Sequence, residues 1–122
     1  AGFLGDSNLI EGRVKATGVD WAEVATPFGV VRTVGSAQVG GEVTLAVRPE
    51  QFLRDEASPR LWQLGDAVVA DAMFLGTYWR VLAVSGRGDS RFLLHLPPTR
   101  PPRAGDRIDL AVAPERVAVL ES

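Results

Sequence analysis

One hexapeptide occurs twice in this chain. Leu45-Ala46-Val47-Arg48-Pro49-Glu50 returns as Leu110-Ala111-Val112-Ala113-Pro114-Glu115, 65 positions later (110 − 45), and differs only in Arg48 against Ala113. The match extends backward, with Gly40 answering to Gly105 and Val43 to Ile108. Phe3-Leu4-Gly5 has its own echo in Phe74-Leu75-Gly76, 71 positions later (74 − 3), so one half carries a small insertion or deletion. Internal repetition restricts a fold more than any other single feature. Two copies fall short of the roughly three that a solenoid needs. The expectation is therefore a doubled barrel whose halves close with each other's help. They run over about residues 1–53 and 66–122, with 54–65 as connector.

Each copy reads as a strand that stops at Pro-Glu. In the first, Val43, Leu45 and Val47 alternate with Glu42, Thr44, Ala46 and Arg48, the period of a half-buried strand. Pro49 and Pro114 cannot donate a ladder hydrogen bond, and their fixed φ suits the first residue of a helical turn. Glu50 and Glu115 then fall near the amino end of that turn, where the dipole favours negative charge. Further strands are predicted over Leu9–Ala16, Trp21–Thr26, Val30–Val34, Ala67–Leu75, Thr77–Ser85, Arg91–Leu96, Arg107–Val112 and Val117–Leu120. Turn chemistry separates them: Thr17-Gly18-Val19-Asp20, Pro27-Phe28-Gly29 and Gly86-Arg87-Gly88-Asp89-Ser90. Pro97-Pro98 through Pro101-Pro102 makes a stiff, extended connector. Gln51–Gly65 lacks periodicity and reads as the link between halves, with one helical turn over Arg60–Leu64. Many short strands with glycine and proline between them predict an all-β protein, a sandwich or barrel.

Composition narrows the function classes. A chain of 122 residues without cysteine has neither disulfides nor thiolate metal sites. It is long enough to bury a core without staples. No apolar run approaches the roughly 18 residues of a bilayer span, and the first residues lack the pattern of a secretory signal. The net charge of −2 and a single lysine, Lys15, speak against nucleic acid as partner, because a polyanion needs a basic face. The chain opens at Ala1 rather than Met, as though it follows something larger.

Reactive constellations are sparse. No Gly-rich loop ends in Gly-Lys-Ser/Thr, and Gly86-x-Gly88 precedes a strand rather than a helix, so neither phosphate-binding pattern is met. His95 is the only histidine, too few for a His-based triad or a His-rich metal site, and it reads as the polar face of a strand. No residue is assigned a catalytic, cofactor-binding or metal-ligating role. Trp21, Phe28, Tyr78 and Trp79 could stack bases in an oligonucleotide-binding barrel, although rings in a small barrel more often form core. Trp62 reads as core or as an exposed contact. Arg48 breaks the symmetry of the repeat at a charged position. Arg48, Glu50, Trp62 and Glu115 are therefore the candidate interface or regulatory residues, set against an ordinary surface ion pair at Arg48 and Glu50.

The ordered set Phe3-Leu4-Gly5-Asp6-Ser7-Asn8, Gly12, Thr26-Pro27-Phe28-Gly29, Val47-Arg48-Pro49-Glu50, Phe74-Leu75-Gly76-x-Tyr78, Gly105-Asp106 and Pro114-Glu115 resembles the transport-associated oligonucleotide/oligosaccharide-binding-like (TOBE) domain. In that family the domain follows the nucleotide-binding domain of ATP-binding-cassette import ATPases. The resemblance implies two interlocked OB-like half barrels in the cytoplasm, peripheral to the inner membrane. It implies an accessory, non-hydrolysing domain that helps two ATPase subunits dimerise and in some members senses a solute or regulator. ATP and Mg²⁺ would belong to the preceding ATPase domain, and the permease would be met through the whole protein. The flavour is closest to importers of polyamines, ferric iron or thiamine-like solutes. The chain departs from the oxyanion-sensing branch, lacking its repeated Ser/Lys-rich loops. The alternative is a free-standing OB-like module for a small ligand or an oligonucleotide.

Overall fold

The structure, a computed structural model, describes residues 6–121. Ten strands form two sheets: β1 (Asn8–Thr17), β2 (Trp21–Thr26), β3 (Gly29–Val34), β4 (Glu42–Val47), β5 (Leu53–Arg54), β6 (Trp62–Phe74), β7 (Trp79–Ser85), β8 (Arg91–Leu96), β9 (Arg107–Val112) and β10 (Ala118–Glu121). The only helical elements among the described residues are two 3-10 turns, Pro49–Gln51 and Pro114–Arg116. The all-β class and the Pro-Glu strand stops are as expected from the repeat.

The sheet orders are β10-β4-β1-β2-β3 and β5-β9-β6-β7-β8. They are one topology written twice, since β1 to β4 correspond to β6 to β9. The outermost strands are exchanged. β5 follows the first Pro-Glu turn but pairs with β9, through Leu53–Ala111 and Arg54–Leu110. β10 follows the second turn but pairs with β4, through Ala118–Ala46 to Glu121–Val43. The halves in sequence are thus not the halves in space: each Pro-Glu turn is the point where the chain crosses over. The turns also land in matching places, the first against β8 and the second against β3, which are the outermost strands at the other end of each sheet.

The Gly40/Gly105 match has a structural meaning. Gly40 N donates to Val14 O at 2.8 Å and Gly105 N to Val69 O at 2.7 Å, each from a positive φ that a side chain would strain. Immediately beyond, β1 and β6 each bulge by one residue against the next strand, at Lys15 and Ala70. The Phe-Leu-Gly echo has no such counterpart. Phe74-Leu75-Gly76 closes the β6–β7 hairpin, whereas Phe3-Leu4-Gly5 precedes β1, the counterpart of β6, and lies outside the described residues.

Two further readings change. The irregular linker is 55–61, because β6 already begins at Trp62. Within β6 a second bulge falls at Leu64, beside Gly65 at φ 99°, and the ladder with β9 continues beyond it. The helical turn expected over Arg60–Leu64 is absent; a bend at Leu61 leads directly into the strand.

A single core spans both sheets, from Ile10, Val24, Val31, Leu45 and Val47 to Leu64, Val81, Leu94, Ile108 and Leu110. Phe92 of β8 lies 5.3 Å from Phe28 of the β2–β3 turn and 5.4 Å from Phe52, which follows the first Pro-Glu turn. Three rings from separate segments therefore seal the seam between halves.

Two polar ties reinforce it at equivalent register. Asn8 faces Val47 as Trp62 faces Val112. Asn8 Nδ2 donates to Leu93 O at 2.8 Å and to Val47 O at 3.2 Å, while Leu93 N donates to Asn8 Oδ1 at 2.8 Å. Trp62 Nε1 donates to Phe28 O at 3.1 Å. Asn8→Ala is expected to lower unfolding free energy by about 1–3 kcal/mol in urea titrations, because it strands backbone groups at the seam. A loss within error would show that Asn8 does not tie the halves together.

Candidate functional site

The four candidate residues fall into unlike surroundings. Arg48 Nε donates to Glu50 Oε2 at 2.8 Å, and the two side chains are 62% and 46% exposed. The pair spans the crossover turn, since Gln51 N also donates to Arg48 O at 3.0 Å. Backbone hydrogen bonding at Glu50, and then the Arg48 guanidinium, hold the Glu50 carboxyl below the ordinary glutamate range. Ala113 replaces Arg48 in the second turn, and Glu115 there is exposed, with no ion pair among the described residues. Trp62 is 6% exposed and its indole N–H is occupied, so its ring is core and offers no surface to a partner. The structure does not bring these four residues together into one site.

Other groups singled out from sequence are also placed. His95 is half-buried between Leu94 and Leu96, with its ring 4.5 Å from that of Tyr78. Trp21 carries the Arg32 guanidinium 4.0 Å above its ring. Phe28 is core. Trp79 is half-buried, with its ring 5.2 Å from that of exposed Phe74. Among the described residues no three His, Asp or Glu side chains converge to hold a metal ion.

Among the clefts of the described residues, two lie away from the candidate residues, while a smaller one of about 190 Å³ is lined by Ser58, Arg60, Leu61, Ala113 and Glu115. The larger, about 380 Å³, lies over β1, β2 and β4 and is lined by Glu11, Gly12, Arg13, Ala25, Thr26, Pro27, Glu42, Val43 and Thr44. Arg13 is already engaged there, donating to Gly40 O at 3.0 Å and Glu42 Oε1 at 3.1 Å. Gly12 permits close approach of β2, since a Cβ at that position would sit 2.5 Å from Val24 Cγ1 and 3.0 Å from Ala25 O.

The second cleft, about 210 Å³, is framed by Phe52, Leu53, Arg54, Glu56, Leu96, Pro97, Thr99 and Arg100. Sequence reasoning missed it, because its two arginines lie 46 residues apart and meet only through the strand exchange. Arg54 is the stronger feature: its side chain is 15% exposed, its Nε makes no hydrogen bond, and its guanidinium forms long ion pairs with Asp55 Oδ2 at 3.7 Å and Asp106 Oδ2 at 3.9 Å. Its Nη1 donates to Arg100 O at 2.7 Å, and Arg100 Nη2 reaches Asp55 Oδ2 at 2.6 Å. Asp55, held at φ 58°, also accepts from Asp109 N at 2.8 Å and so ties the cleft rim to β9.

Comparison with known proteins agrees with this architecture. A family model for the TOBE domain matches residues 31–120, from β3 through β10. The chain belongs to the TOBE domain family. No curated protein sequence matches it. Among solved structures it is similar to the cytoplasmic molybdate-binding protein ModG, crystallised with molybdate bound, at a TM-score of 0.75 over 94% of this chain and 96% of that one. The two sequences are 13% identical, so the likeness speaks for a shared fold.

Two outcomes test the local reading of this TOBE domain. Arg48→Ala is expected to cost under about 1 kcal/mol, since exposed pairs contribute little, and to raise the Glu50 carboxyl titration followed by NMR. Because the folded state holds that carboxyl low, its contribution is present above the unfolded value and fades as pH falls through the folded one. An unchanged Glu50 titration in the variant would remove Arg48 as a cause. Gly12→Ala is expected to destabilise by about 1–3 kcal/mol in the same urea assay, through forced movement of Val24 in a packed core.

Proposed function

We propose that this chain is a non-catalytic accessory domain of an import ATPase, serving subunit assembly and regulation in the cytoplasm next to the membrane-embedded permease. Membership of the TOBE family carries the reading. The interlocked barrel supports it physically: each sheet takes its outermost strand from the other half, so the two halves hold together as one body. Such a body is suited to transmit contacts between larger partners. ATP and Mg²⁺ belong, on this reading, to a preceding domain of the same protein. The coding region upstream of Ala1 is expected to encode a Gly-rich loop ending in Gly-Lys-Ser/Thr, and the isolated chain to release no phosphate from ATP above a buffer blank. Turnover by the purified chain, or an unrelated upstream sequence, sinks the proposal.

A second reading, regulation through a bound oxyanion, has one specific observation behind it. The buried Arg54 Nε makes no hydrogen bond at the rim of a cleft that also presents Thr99 and Arg100. A buried N–H without a hydrogen bond is costly, and an anion oxygen would satisfy it in competition with Asp55 Oδ2 at 3.7 Å and Asp106 Oδ2 at 3.9 Å from the guanidinium. Similarity to a fold that holds molybdate in ModG points the same way. Molybdate, with sulfate as control, separates the two readings in a thermal-shift titration, since a ligand at about 100 times its Kd adds ~2.7 kcal/mol to the folded state. A rise abolished by Arg54→Met establishes the second reading. A flat melting temperature leaves assembly as the function.

A further inference from the structure

The long strand β6 outruns its neighbour. Its last ladder pair with β9 is Val68–Arg107, and Val69 closes the ladder by donating to Asp106 O at 2.8 Å and accepting from Gly105 N at 2.7 Å. On the other flank β6 stays paired with β7 as far as Phe74–Trp79. Residues 70–74 therefore have a strand on one side and none on the other, and no hydrogen bond is made on that open side among the described residues. An edge of this kind is a template for another strand unless it is covered or charged.

The first half shows what a covered version looks like. β1 also runs past its last pair with β4, Arg13–Glu42, as far as Thr17. There the 35–39 loop folds over it: Ala37 N donates to Thr17 Oγ1 at 3.4 Å, and Ser36 Oγ lies 2.8 Å from the same hydroxyl. In the second half the corresponding loop is the proline-rich 97–104 segment. It turns the other way, held by Arg100 to Asp55 at 2.6 Å. The overhang it leaves bare is apolar, with Met73, Phe74 and Leu75 exposed at 55%, 48% and 42%. Phe74 packs on Trp79 with ring centroids 5.2 Å apart, and the Trp79 Nε1 beside it has no acceptor.

We propose that this overhang is the contact surface for a second copy of the chain, by antiparallel pairing of β6 with β6 about a two-fold axis near Ala72. The charges argue for a second copy over an unrelated strand. Asp71 lies opposite Leu82 and Met73 opposite Arg80 across the β6–β7 ladder, so Asp71, Met73 and Arg80 share a face. Neither Asp71 nor Arg80 has an ion pair among the described residues. In the two-fold arrangement Asp71 of one copy falls opposite Met73 of the other, in line with that copy's Arg80. Two strand spacings, about 10 Å between Cα atoms, then separate opposite charges, within reach of an arginine side chain. The arrangement repeats the contact twice, as an isologous interface does. Five residues a side make a small interface, below the roughly 1,200 Å² of stable complexes, so association is weak and concentration-dependent.

The inference deepens the assembly role proposed above and rests on it for its setting, but its test uses the chain alone. Failure here would leave attachment to an ATPase standing. Sedimentation equilibrium up to about 1 mM should show a monomer–dimer equilibrium, and Met73→Lys should raise its dissociation constant at least about tenfold, or ~1.4 kcal/mol, with the far-ultraviolet spectrum unchanged. Arg48→Ala should leave it unaltered. Asp71→Arg and Arg80→Asp should each weaken self-association, and an equimolar mixture of the two should restore it, since both cross-pairs then join opposite charges. A strict monomer at the highest concentration overturns the proposal. So does a dimer indifferent to Met73→Lys, or charge variants that fail to rescue one another.

Discussion

Unpaired backbone groups at the sheet edges are the constraint around which this molecule is arranged. A curled sheet of four short strands ends on both sides with donors and acceptors that water or another strand must satisfy. Here each four-stranded unit gives up the segment after its Pro-Glu turn and receives the equivalent segment of the other unit. The 3-10 turns serve this exchange: a proline that cannot extend the ladder ends β4 and β9, and the chain leaves for the opposite sheet. The seam between units is then closed by Phe28, Phe52 and Phe92, and by the side-chain ties from Asn8 and Trp62.

Against this near-symmetry the departures stand out. Arg48 against Ala113 changes only an exposed ion pair within the turn. Larger differences arise where loops have diverged. The proline-rich 97–104 segment, turned toward Asp55, frames a cleft around Arg54 and leaves the end of β6 uncovered, whereas the 35–39 loop does neither. The departures with chemical consequence therefore sit in the second half, in loops whose counterparts are shorter or tightly folded back.

Much of this was legible in the residues. The duplication, the all-β class, the strand ends at Pro49 and Pro114 and the limits of Trp21–Thr26, Arg91–Leu96 and Arg107–Val112 follow from alternation and punctuation. The exchange of β5 and β10 was not, because a strand placed in its own unit or in the twin shows the same alternation. The first residues of β6, Trp62 to Gly65, read as connector because the bulge at Leu64 breaks their alternation. Trp62 was ambiguous for a different reason: burial of a ring at a domain seam and exposure at an interface call for the same residue. Arg54 gave no signal, since apart from its neighbour Asp55 its partners, Arg100 and Asp106, meet it only in the folded chain.

The exchanged strands also order events during synthesis. The first unit has its four inner strands by Val47, yet its outer strand is residues 118–121, which emerge from the ribosome last of all the described segments. Until then its edge stays open to the crowded surroundings, and the strand it has contributed, Leu53–Arg54, waits for a β9 not yet made. A chain wired this way gains little from early folding and acquires both sheets together, at the cost of a slow, non-local closing step.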